Sequence, residues 1–343
     1  MREKCPLTRD ALASDASASE AAEMKIAVLD AATLDFPDDA WAGFRALGSL
    51  TLHALTSSDP AAIRENCVGA QVVLTNKVPL DAATLAALPD LRLIAVLATG
   101  FNIIDAKAAR ERGITVCNAP GYSTASVAQH TIALMLEWSN QVALHDQSVR
   151  AGEWVRSPRF SYWKTSLHEL AGRTLGLIGF GAIGAQVGAI AHALGMNVLA
   201  YSRRQQNGPN WEPFSWATVE EIFERADVVS LHCPQTPENT RFVNAPLLAR
   251  MKPGALFINT ARGGLVDELA LATALQAGRP GAAAIDVVAQ EPMRADCPLL
   301  GTPNCIITPH LAWASEEARR RLLGITLANV RSFMAGTPQN VVN

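Results

Sequence analysis

Thr174-Leu175-Gly176-Leu177-Ile178-Gly179-Phe180-Gly181-Ala182-Ile183-Gly184 sets the reading of the whole chain. An apolar run of strand length passes into a G-x-G-x-x-G turn and then into small residues of helical character. In such a turn the first glycine permits the bend, the second lets the backbone approach a pyrophosphate, and the third lets helix pack on strand. Gly179, Gly181 and Gly184, with Ala182 and Ile183 between them, are therefore expected to cradle a dinucleotide on the free N–H groups of a helix N-terminus.

Outward from this turn, strand-like runs recur at Asn197–Tyr201, Asp227–Leu231, Ala255–Asn259, Ala282–Val287 and Cys305–Ile307, separated by helix-like stretches. Six strands alternating with helices predict a complete doubly wound parallel sheet. Upstream, short runs at Lys25–Leu29, Gln71–Leu74, Leu91–Leu97 and Ile114–Cys117 alternate with helical patterns at Leu80–Ala87 and Ala106–Arg112, predicting a second, smaller α/β unit. From Ser126 a helical pattern through Val127, Thr131, Leu134, Leu136 and Val142 runs toward Arg150. Ser315–Met334 reads as an amphipathic closing helix, expected to return to the first unit. The predicted organisation is a tail at 1–23, a substrate domain at 24–121 and 312–343, and an inserted dinucleotide domain at 122–311, with a cleft where substrate meets cofactor. Met24 directly precedes the first strand, so translation is expected to begin there.

Composition bounds the function. At 343 residues, 49% hydrophobic and 18% charged, the chain has a globular balance. A net charge of -3 predicts no nucleic-acid partner, and no run of about 18 apolar residues predicts a membrane span. Six scattered cysteines without CxxC spacing and seven histidines without an i, i+4 pair predict reduced thiols in a cytoplasm and no metal site.

The cofactor choice is read at the end of the second strand of the inserted domain. An acidic residue there would accept hydrogen bonds from the adenosine ribose of NAD. This chain has Ser202, Arg203 and Arg204 instead, and arginine attracts the 2′-phosphate that a carboxylate would repel. NADP(H) is the expected cofactor, with NAD the alternative.

Three later strand ends carry reactive side chains: Arg262 after Asn259-Thr260-Ala261, Glu291 downstream of Asp286, and His310 after Thr308-Pro309. Imidazole titrates near neutrality and suits proton transfer. A carboxylate beside it fixes the tautomer, and a guanidinium can grip two oxygens of an anion together.

With this Arg, Glu and His order the sequence resembles the D-isomer-specific 2-hydroxyacid dehydrogenases from Met24 to the C-terminus. The likeness extends to Leu97-Ala98-Thr99-Gly100-Phe101-Asn102, Asn118-Ala119-Pro120-Gly121-Tyr122 and Leu231-His232-Cys233-Pro234. Within the family it is most similar to glycerate dehydrogenases, also called hydroxypyruvate reductases, through Thr75-Asn76-Lys77, Ser161-Tyr162-Trp163 and His310-Leu311-Ala312-Trp313. The resemblance implies a Rossmann-type domain inserted in a flavodoxin-like one and a homodimer formed through the cofactor domains. It further implies catalytic roles for Arg262, Glu291 and His310, and substrate contacts from Lys77, Gly100, Phe101, Asn102 and Arg262. Cys233, Pro234, Thr260, Ala261 and Asp286 are implied to line the cofactor pocket, with Asp286 on the carboxamide. The expected reaction is NAD(P)H-dependent reduction of hydroxypyruvate or glyoxylate to the D-2-hydroxy acid. The alternatives are a short phosphoglycerate dehydrogenase-like enzyme and a cofactor-sensing corepressor-like binding protein.

Overall fold

The computed structural model describes residues 23–205 and 208–343, so residues 1–22 of the expected tail lie outside the described residues. Two compact units divide the chain, one running through Asn118 and resuming from Thr326 to Asn343, the other Ala119–Ile325.

The first unit is a parallel sheet of β1 (Lys25–Val28), β2 (Ser49–Leu52), β3 (Val72–Thr75), β4 (Leu93–Val96) and β5 (Thr115–Cys117). Its order, β2-β1-β3-β4-β5, is that of flavodoxin-like sheets. Strands β3 and β4 are buried at every position, as expected of central strands covered on both faces. Strand β2 has no counterpart in the sequence reading: Ser49-Leu50-Thr51-Leu52 lies at the sheet edge, where exposed and half-buried positions alternate and no continuous apolar run is needed. Asp81 and Asp105 cap the helices after β3 and β4 by accepting from the N–H groups of Thr84 and Ala108. The returning C-terminal segment is tied in by polar bonds. Val341 bridges Cys117 antiparallel, and the Asn343 side chain accepts from Val116 N–H and donates to the Ile114 carbonyl.

The second unit is a seven-stranded parallel sheet: β6 (Thr174–Ile178), β7 (Asn197–Tyr201), β8 (Phe214–Trp216), β9 (Val228–Leu231), β10 (Leu256–Asn259), β11 (Ala282–Ile285) and β12 (Cys305–Ile307). The order β12-β11-β10-β9-β6-β7-β8 is doubly wound, reversing direction between β6 and β9. Ligands in such sheets bind beyond the strand C-termini at that reversal. Strand β8 is the addition to the six strands read from sequence. It is three residues long, and it is held by rings: Phe214 and Trp216 pack with Phe180 at centroid distances of 5.1 and 5.4 Å.

The segment expected to run as one helix toward Arg150 is two, Thr124–Asn140 and Val142–Arg150. Gln141 between them is left-handed at φ 50°, which ends the first helix, and Val142 is exposed rather than part of an apolar stripe. The first helix buries Val127, Ala128, Thr131, Leu134, Met135 and Trp138 within the second unit.

Candidate active site

The glycine turn is built as its spacing requires. Gly179 sits at φ 106°, and a Cβ there would lie 2.6 Å from the His232 carbonyl carbon, so the loops after β6 and β9 touch through bare backbone. A Cβ on Gly184 would strike the Gly179 carbonyl oxygen. On Gly181 it would meet nothing within 4 Å. The helix Ala182–Ala193 that follows has no side-chain cap, leaving the first-turn N–H groups, including those of Ala182 and Ile183, facing that open space. Tight packing at Gly184 and clearance at Gly181 fit the pyrophosphate of a dinucleotide.

A cavity of about 930 Å³ opens at this turn. It gathers Gly179, Gly181, Ser202, Arg203, Arg204, Cys233 and Pro234 from three separate loops. Both arginines are exposed and Ser202 is half-buried. Burial pushes the Cys233 thiol up, against a smaller opposing effect of Arg203, so the thiol stays protonated and unreactive. Thr260, Ala261 and Asp286 do not border this cavity and lie instead on the loops after β10 and β11.

The loop after β12 is organised by Asp286, whose side chain is 1% exposed. Its carboxylate accepts from Thr308 Oγ1 at 2.6 Å and from the N–H groups of Leu311 and Ala312 at 2.9 Å each. Its backbone carbonyl accepts from His310 N–H at 2.8 Å. These bonds hold His310 at φ 53°, a conformation that costs a non-glycine residue about 1–3 kcal/mol unless its surroundings impose it. Three protein donors occupy most of the roughly four acceptor sites of a carboxylate, so Asp286 is first of all the strut of the histidine loop.

His310 Nδ1 meets Glu291 Oε2 at 2.6 Å, with the two side chains 26% and 34% exposed. Glu291 also accepts from Val288 N–H through Oε1, which sets the carboxylate against its own loop. Arg262 is exposed after β10, with one guanidinium nitrogen donating to the Ala261 carbonyl at 2.7 Å. The Asn259 side chain donates to the Arg262 carbonyl. The next residue must be glycine, since a Cβ on Gly263 would run into the backbone of Val288. Burial pushes the Tyr122 phenol up to about 12, opposed by Ser123 and by the nearby Arg262 charge, and the Tyr122 ring meets Trp313 edge-on at 6.2 Å. Tyr122 thus links the Arg262 loop to the segment following His310.

In the first unit, Lys77 is exposed on a loop held by Asp30, which accepts from the N–H groups of Asn76 and Lys77. Gly100, Phe101 and Asn102 follow β4, and Phe101 is half-buried against the first-unit core.

Several groups escaped the sequence reading. His130 contacts Thr308 Oγ1 at 3.1 Å and the Asp286 carboxylate at 3.6 Å; burial lowers its pKa and Asp286 opposes the fall. His232 accepts or donates one bond, to Ser230 Oγ at 2.9 Å. Its Nδ1 is buried without a partner. Glu238 borders the cavity from the loop after β9. A capping signal, Thr236 three residues before Asn239, was present in that loop.

A glycine turn at the reversal of a doubly wound sheet, with a paired imidazole and carboxylate and a guanidinium at later strand ends of the same sheet, defines a nicotinamide-dependent dehydrogenase. Residues 132–312 match the family "D-isomer specific 2-hydroxyacid dehydrogenase, NAD binding domain". The chain is 43% identical over 304 residues to a hydroxypyruvate reductase of Blautia hydrogenotrophica, covering 88% of this chain and 94% of that one. It is 45% identical over 285 residues to a glycerate dehydrogenase of Methylorubrum extorquens, covering 82% and 88%. Among solved structures, an NADPH-dependent glyoxylate/hydroxypyruvate reductase of Sinorhizobium meliloti, in complex with NADP and malonate, aligns at a TM-score of 0.78 with 28% identity, covering 93% of this chain and 97% of that one. The protein belongs to the D-isomer-specific 2-hydroxyacid dehydrogenase family. Among the described residues no helix is long and apolar enough to cross a membrane.

Proposed function

We propose that the protein reduces hydroxypyruvate and glyoxylate to D-glycerate and glycolate, using NADPH in preference to NADH. The observation that carries this reading is the 2.6 Å contact between His310 Nδ1 and Glu291. The bound cofactor supplies a hydride donor for the carbonyl carbon. With Nδ1 engaged by Glu291, Nε2 is the ring nitrogen that delivers a proton to the carbonyl oxygen and takes it back in the reverse direction. The Glu291 carboxylate holds the ring in one tautomer and one orientation. Arg262 orients the substrate through its carboxylate and stabilises charge developing on the carbonyl oxygen. Its bond to the Ala261 carbonyl limits the directions the fork can take. Asp286 keeps the histidine loop in place, and the family resemblance assigns it to the carboxamide, with Thr260 and Ala261 beside that end of the cofactor. Lys77 and the backbone N–H groups of Gly100, Phe101 and Asn102 are assigned to the substrate anion by the family resemblance.

NADPH preference is supported by Arg203 and Arg204 standing on the cavity with no carboxylate at position 202. Homodimerisation is supported by six exposed apolar side chains close together in the second unit's sequence, Val142, Val149, Trp154, Val155, Phe160 and Trp163. The residues upstream of 24 are assigned no part in the site, and the domain roles follow the sequence reading: substrate binding by 24–121 and 312–343, cofactor binding by 122–311. We place the enzyme in the cytoplasm. A substrate panel of hydroxypyruvate, glyoxylate, pyruvate and 3-phosphohydroxypyruvate, run with NADPH and NADH, tests the reading. Highest kcat/KM for 3-phosphohydroxypyruvate would replace the substrate assignment. No turnover of any keto acid would leave a cofactor-sensing binding protein as the better reading.

A further inference from the structure

The cavity that gathers Arg203 and Arg204 also carries an acid that the catalytic reading does not use. Glu238 sits in the short turn Pro237–Asn239 after β9 and borders the cavity with Ser202, Arg203 and Arg204. The turn is fixed. The Thr236 and Asn239 side chains cap it reciprocally, with Thr236 N–H donating to Asn239 Oδ1 at 2.7 Å, and Asn239 Nδ2 donates to the Pro234 carbonyl at 2.8 Å. The Thr236 hydroxyl holds the Glu238 carboxyl below its usual range, followed by the residue's own backbone and by the Arg203 charge. Glu238 is therefore an anion at neutral pH, held within electrostatic reach of the arginine assigned to the 2′-phosphate.

We propose that Glu238 is a specificity-determining residue that restrains binding of the adenosine 2′-phosphate by engaging Arg203 and repelling the phosphate. The proposal rests on the assignment of the arginines to NADPH given above. Its consequence is selective: a ligand with only a 5′-phosphate places no second anion at that end of the cavity, so it does not meet the acid. The carboxylate partly neutralises the Arg203 guanidinium, so the site discriminates less between the two nicotinamide dinucleotides than its arginines alone would.

The test uses two fragments of the cofactors, adenosine 2′,5′-bisphosphate and 5′-AMP, titrated calorimetrically against the full chain and against Glu238→Gln and Glu238→Lys. Glu238→Gln is expected to tighten the bisphosphate by about two- to fivefold at low ionic strength, with less gain at high salt, and to leave 5′-AMP unchanged. Glu238→Lys is expected to go further in the same direction. Equal tightening of both fragments, or of neither, overturns the proposal. The arginine assignment is read separately: if neither the unmodified protein nor Glu238→Gln binds the bisphosphate better than 5′-AMP, that assignment fails, whereas a preference for the bisphosphate that is the same in both proteins keeps the assignment and overturns the role of the acid.

Discussion

Replacing His232 with phenylalanine is expected to flatten the acid limb of the stability profile. The ring is enclosed between the glycine turn and the loop after β9; although the residue borders the cavity, its Nδ1 has no contact with solvent and no partner. Burial lowers its pKa to about 4. An unfolded histidine titrates near 6.5, and the gap down to about 4 corresponds, at about 1.4 kcal/mol per pH unit, to about 3.5 kcal/mol in full, of which about 3 kcal/mol is expressed by pH 4. Between those two values the unfolded chain binds a proton that the folded chain excludes, so stability rises with pH. The group costs nothing above pH 6.5, its cost grows as pH falls, and the cost is complete below about pH 4. Urea unfolding at intervals from pH 7 to pH 4, for both proteins, isolates the effect because carboxylate protonation is common to them. The variant has a lower baseline, since the buried Ser230 hydroxyl loses its partner, but the wild type should lose about 3 kcal/mol more across the interval. Parallel profiles would refute the assignment of a neutral ring whose Nδ1 is buried without a partner.

Other perturbations read different parts of the site. Asp286→Asn puts an amide where three donors converge and removes charge-assisted bonds worth about 1.5–3 kcal/mol each; kcat is expected to fall about 10- to 100-fold as the histidine loop loosens. The same variant removes the charge that holds the His130 pKa up, so an NMR titration should find it lower still; an unchanged value would contradict the 3.6 Å pairing. Gly184→Ala is expected to lower Tm because its Cβ meets backbone, whereas Gly181→Ala should fold normally and lose NADPH affinity in fluorescence titration, having clearance in the free protein alone. His310→Ala should cost about 10²- to 10⁴-fold in kcat with cofactor Kd nearly unchanged, and near-native turnover would remove it as the proton donor.

Much of the architecture was readable in advance where apolar runs were continuous. Buried parallel strands such as β3, β4, β9 and β10 must be apolar on both faces, and each announces itself. Edge strands need no such pattern, so Ser49–Leu52 and Phe214–Trp216 went unseen. The break at Gln141 also left no mark, because glutamine is an ordinary helix residue and its left-handed backbone is imposed by the surrounding fold. At the site, the types of the reactive residues were legible and their partners were not. Nothing near Asp286 in sequence says that it accepts bonds from residues 22 to 26 positions away.

The chain alone determined two alternating α/β units, a pyrophosphate turn, an arginine pair in place of the ribose acid, and an Arg, Glu and His order, since periodicity and turn chemistry are local properties. Tertiary structure decided the rest: the 2.6 Å imidazole–carboxylate contact, the strut beneath the histidine loop, the buried Nδ1 of His232 and the acid beside the arginines. Each depends on which strand ends lie side by side. That order is set by packing of the whole sheet, and no short window of sequence records it.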